Sequence, residues 1–139
     1  MKKDSKKTEI NTLNALYSYA MIELESYVTC LKSMELNLEK EVHDLNAIIS
    51  AKRMSGLESY VEELLMNKFY QAKNYIFIVR KNIKKYLKRL ELYFAHNYDK
   101  KVLFDEKLDE IAILTKEREF FVDAQIEKCI EYIGEYQKL

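Results

Sequence analysis

No proline occurs anywhere in this 139-residue chain, and glycine occurs only twice, at Gly56 and Gly134. Hairpins and tight turns draw on residues with a preset or positive φ, and proline and glycine are the usual source. A chain almost without them is expected to fold as long helices joined by very few turns, an all-α class. With 48% hydrophobic residues it can bury one core, which predicts a single helical-bundle domain over residues 1–139, residues 1–7 being a disordered N-terminus.

Hydrophobic periodicity places the helices. Ile10, Tyr17, Leu24, Leu31, Leu38 and Leu45 repeat every seven residues, and Leu13, Ala20, Tyr27, Met34, Glu41 and Ile48 form the companion position. All but Glu41 are apolar, a coiled-coil-like seam that predicts a first helix over about 8–49. The seam stops at SAKRMSGLE, where Ser55-Gly56-Leu57-Glu58 has the spacing of a capping box. A second helix is expected over about 56–97, with the stripe Leu65, Phe69, Ala72, Ile76, Val79, Ile83, Tyr86, Leu90, Tyr93 and Asn97. Asn97 suits its end because asparagine tolerates the left-handed region.

NYDKKVLFD reads as the next polar break, with Asp105 capping a third helix over about 105–136. Its stripe is Leu108, Ile111, Thr115, Arg118, Val122, Ile126, Cys129, Ile133 and Tyr136, and acids cluster at its start, where the helix dipole is positive. The expected architecture is an elongated antiparallel bundle of three long helices, each about 50–60 Å long. Surplus apolar residues outside the stripes predict an exposed face. Tyr75, Phe77, Ile78, Phe94 and Phe120 are the expected contacts to a protein partner or to further copies in a homodimer or higher oligomer.

Other classes are disfavoured by what the residues lack. The opening MKKDSKKTEI has no apolar run behind it, and no stretch reaches the ~18 apolar residues of a membrane span, so a cytoplasmic protein without membrane contact is expected. Cys30 and Cys129 lack metal-ligand spacing and are expected as free thiols. Glu39 and His43 share a helix face, but two ligands do not build a metal site, and two glycines cannot make a phosphate loop. No metal and no cofactor are expected.

One charge feature rises above a balanced background of 23 basic and 23 acidic side chains. RKNIKKYLKR, residues 80–89, carries no acid, and its Lys81, Lys84, Lys85 and Lys88 share a face that could contact nucleic acid or another anion. Up-down-up packing sets this run level with Glu23, Glu25, Glu117 and Glu119, so interhelical pairing is the favoured expectation for its charge.

The run leads into RLELYFAHNY, residues 89–98. Arg89 and His96 are two helical turns apart and project from one flank, off the seam. Paired with a second copy, such an imidazole could move a proton while the guanidinium stabilises a phosphoryl oxygen. The pattern Arg89-x6-His96-x-Tyr98 in an all-helical chain resembles the HEPN ribonucleases, and the tyrosine beyond the histidine resembles their toxin branch. That resemblance implies a dimer with a composite, metal-independent RNA-cutting site, Arg89 and His96 being catalytic and Tyr98 a control point. The leading expectation is nonetheless a non-enzymatic helical interaction module, an adaptor, chaperone or assembly subunit offering an apolar face; the HEPN-like endoribonuclease is its alternative.

Overall fold

The computed structural model describes the backbone of residues 2–52 and 57–137, and the side chains of residues 9–44 and 63–127. The chain is all-α, with four helices among the described residues: α1 (Lys2–Lys52), α2 (Leu57–Arg89), α3 (Glu91–His96) and α4 (Tyr98–Gln137). The Ser55-Gly56 capping box lies outside the described residues, as do the side chains of Leu45, Ile48, Cys129, Ile133 and Tyr136. No described helix is long and apolar enough to cross a membrane.

Ion pairs and one hydrogen bond fix the directions of the three long helices. Glu41 pairs with Lys68 and Glu23 holds Tyr86, so α1 and α2 are antiparallel. Lys73 pairs with Asp123 and Arg80 with Glu119, so α2 and α4 are antiparallel too. α1 and α4 therefore run parallel, with Glu25 on Lys107 and Glu35 on Arg118.

The expected stripes form the core. Tyr17, Ala20, Leu24, Tyr27, Leu31 and Leu38 of α1 are buried, as are Leu65, Phe69, Ala72, Ile76, Val79 and Tyr86 of α2 and Ile111, Val122 and Ile126 of α4. Leu13, Met34, Ile83 and Leu108 are half-buried at the edge of the core, and Ile10 is exposed, at 57%. Tyr17 already packs on the corner between α3 and α4, and two turns upstream, about 10 Å further along the helix, Ile10 has passed the end of its partners.

Beyond α1, which spans Lys2–Lys52 where about 8–49 is expected, three features differ from the sequence reading. The second helix does not run unbroken to residue 97: Leu90, with φ −97° and ψ 5°, separates α2 from α3. The hydrogen-bond ladder still crosses it, Leu90 N–H donating to Tyr86 O at 2.8 Å and Phe94 N–H to Leu90 O at 2.9 Å, so the interruption redirects the chain without releasing it. Asn97 is not left-handed, at φ −137° and ψ 69°. Its amide Nδ2 donates to Tyr93 O at 2.9 Å, and its carbonyl accepts the N–H groups of Lys100 and Lys101, so one residue ends α3 and begins α4.

The third correction follows from the second. α4 begins at Tyr98 and not at Asp105, because NYDKKVLFD holds neither proline nor glycine and Asn97 alone makes the corner. The added turns bring Phe104 fully inside, its ring 5.0 Å from that of Phe94. Beyond Leu90 both Tyr93 and Phe94 are buried, and Phe94 meets Tyr17 edge to face at 6.1 Å. Phe94 is thus a core residue and not part of the expected partner face.

Replacing Phe104 or Phe94 by alanine is expected to cost about 3–5 kcal/mol each in urea unfolding, whereas Phe120→Ala should stay within about 0.5 kcal/mol. Equal effects at all three positions would contradict the packing described for the corner.

Candidate functional site

The outer surface of α2 carries the basic run. Lys81, Lys84, Lys85, Lys88 and Arg89 are exposed, and among the described residues none of them forms an ion pair. Only Arg80 is absorbed, by Glu119 at 2.6 Å. The other expected acids are engaged elsewhere: Glu25 with Lys107 at 2.5 Å, Glu117 with Arg118 at 3.7 Å, and Glu23 with the hydroxyls of Tyr27 and Tyr86. The interhelical pairing expected for this run is therefore confined to one residue.

Arg89 ends α2, His96 ends α3 and Tyr98 opens α4, so the three residues of the ribonuclease-like pattern surround one corner of the bundle. All three are exposed, Tyr98 at 75%. The corner has a groove of about 520 Å³ lined by Leu87, Glu91, Phe94, Ala95, Tyr98 and Lys101. Tyr98 lines it, but Arg89 and His96 do not.

A second groove, about 430 Å³, lies between α2 and α4, where Arg80, Lys84 and Lys116 stand over Ile83, Leu108 and Ile111. The third, about 650 Å³, lies along α4 beside Glu35 of α1 and includes Ile113, Phe120 and Phe121. Phe120 is 80% exposed there and Ile113 60%. Of the expected partner contacts, Phe77 and Ile78 also face outward, whereas Tyr75 is half-buried and stands edge-on to Tyr27.

The sequence reading missed Lys116, Lys101 and Ile113. Lys116 sits next to Thr115 of the third stripe, so reading the flanks of that stripe as closely as the stripe itself would have found it.

Two polar clusters are built into the helix contacts. Glu23 accepts hydrogen bonds from the hydroxyls of Tyr27 and Tyr86, and Asn82 Nδ2 donates to the Tyr27 oxygen at 2.9 Å. Burial, with the Glu23 carboxylate beside it, pushes the Tyr27 phenol up to about 12, against the opposing effect of Asn82. Tyr75 is raised as well, by burial and by its hydrogen bond with Cys30, a free and exposed thiol. On the far side, Arg118 is buried on the seam, its Nε donating to Leu31 O at 2.7 Å and its guanidinium held by Glu35 at 2.5 Å. Arg118 and Glu35 line the α1–α4 groove beside Lys116, and both clusters hold α1 in register. No group of three or more His, Cys, Asp or Glu that could hold a metal ion occurs among the described residues.

Comparison with family models, curated proteins and solved structures returned no match to this chain.

The raised phenols set an alkaline limit. Unfolded tyrosine ionises near 10.0, whereas folded Tyr27 stays neutral until about 12, so stability is fully present below pH 10 and is lost as pH rises through that window. Denaturant melts between pH 9 and 12 should show this fall, and Tyr27→Phe should make it shallower. An unchanged pH slope in the variant would remove Tyr27 as a source.

Proposed function

We propose that this chain is a helical interaction module that binds a protein partner through apolar side chains on the outside of the bundle. The observation that carries this reading is the exposure of large apolar residues that the core could have taken up and does not: Phe120 at 80%, Phe77 at 62% and Ile113 at 60%. Burying one such side chain against a partner is worth about 1.5–3 kcal/mol, so a few of them sustain an interface. Phe120→Asp and Phe77→Asp should leave the unfolding midpoint nearly unchanged while shifting the oligomeric mass or abolishing capture of a co-purifying partner. Unchanged mass and unchanged partners in both variants would sink the reading.

Metal-independent RNA cleavage by a dimer is the second reading, favoured by the joint exposure of Arg89, His96 and Tyr98 around one corner whose neighbours Leu90, Tyr93 and Phe94 are buried. The nearby lysines of α2, which form no ion pair among the described residues, supply attraction for a phosphate backbone. Arg89→Ala and His96→Ala should each leave folding intact and lower RNA cleavage by about 100-fold or more, the usual scale for a lost acid-base group. Intact chain that cleaves no RNA, or cleavage that survives both substitutions, would exclude it.

A further inference from the structure

The two grooves along α2 and α4 are stretches of one furrow. Their lining residues Arg80, Lys84, Leu87 and Glu91 follow one another at single turns along α2 and α3, and Lys116, Ala112 and Leu108 do so along α4, with Lys101 two turns further on. The hydrogen bonds that cross Leu90 keep the first line of positions in register. From Tyr98 to Lys116 the furrow extends about 27 Å at 1.5 Å per residue, the length of a helix of about 18 residues.

Its floor and rims differ in character. Ile83, Leu87 and Leu108 are only partly covered by the chain itself, and Ile111 closes the floor beneath them. Among the lining residues Arg80, Lys84, Lys116 and Lys101 stand along the edges against one acid, Glu91, and Asp105 lies between Lys101 and Leu108 on α4. Arg80 already has Glu119, whereas Lys84 and Lys116 form no ion pair among the described residues.

We propose that this furrow seats an acidic amphipathic helix of another protein, which completes a local four-helix bundle. The proposal rests on the interaction-module reading and names its groove and the chemistry of the partner. A furrow between two antiparallel helices, on the side that α1 leaves open, has the shape that a further helix fills by packing its ridges between theirs. Leucine-like residues at helical spacing cover the floor, and carboxylates on both flanks meet Lys84 and Lys116. The basic rims also disfavour a second copy of this chain: a twofold contact sets a patch against itself, here one net basic edge against another.

The test titrates the full chain with two synthetic amphipathic peptides of about 18 residues, one with glutamates flanking a leucine stripe and one with lysines in their place. Heteronuclear NMR or calorimetry is expected to show saturable, salt-weakened binding of the glutamate peptide, and none of the lysine peptide. The doubly substituted Lys84→Glu/Lys101→Glu chain, in which both changes are at exposed positions that line the furrow and not the α1–α4 groove, should unfold like the parent yet bind about tenfold or more weakly. Phe120→Asp should leave peptide affinity unchanged. The proposal is overturned by absence of binding up to about 1 mM, by equal binding of the two peptides, or by loss of binding in Phe120→Asp and not in the lysine double variant. That last outcome moves the contact to the α1–α4 groove and leaves the module reading standing, which falls only if Phe77→Asp and Phe120→Asp change neither mass nor partners. Conversion of a dimer to a monomer by the lysine double variant would assign the furrow to a second copy and overturn the proposal equally.

Discussion

A single asparagine reverses the chain between α3 and α4, and much of the bundle's register depends on how it does so. The Asn97 side chain satisfies a carbonyl at the end of one helix, while its own carbonyl accepts the first amides of the next. Nothing is left over for a loop, so α4 starts at once and is long enough to carry Phe104 back against Phe94, whose ring in turn meets Tyr17. The aromatic cluster then holds the corner from inside, with Tyr17 O–H reaching Lys100 O at 3.4 Å and the Lys100 ammonium 5.7 Å from the Tyr17 ring centre. Local capping and long-range packing support the same geometry, which is why so short a connection is stable.

Away from the corner, polar groups inside the helix contacts govern alignment. Arg118 occupies a seam position where an apolar residue is ordinary, and its bonds to Leu31 and Glu35 are satisfied only at one axial setting of α1 on α4. Glu23 does the same between α1 and α2 by holding two tyrosine hydroxyls. Lys81, Lys84, Lys85 and Lys88 of α2 face solvent and form no ion pair among the described residues, and that leaves one edge of the α2–α4 furrow basic in a chain of zero net charge.

The stripes of the first two helices were legible because heptad spacing maps linear order directly onto one face of a helix, and from Tyr17 to Leu38 and from Leu65 to Tyr93 every stripe residue is buried except Met34 and Ile83, which are half-buried. The corner was less legible. A polar run such as NYDKKVLFD is compatible with either a loop or a solvated helix face, and the decision falls to Phe104, whose burial depends on Phe94 and Tyr17, the latter more than eighty residues away. The site residues divide similarly. That Arg89, His96 and the lysines of α2 are exposed follows from their distance from the stripe, whereas Phe94, also off the stripe, is buried because the rings of Tyr17 and Phe104 pack on it.

By itself, then, the amino-acid order determined helices, their approximate number and the faces they bury, since a chain without proline and nearly without glycine has few other ways to satisfy its backbone. Tertiary structure alone decided which charges pair, which apolar residues stay outside and which helix edges line up as a furrow. Those properties belong to pairs of residues far apart in the chain, and their energies are set by distance and solvent access in the packed bundle, quantities that residue spacing along one helix does not contain.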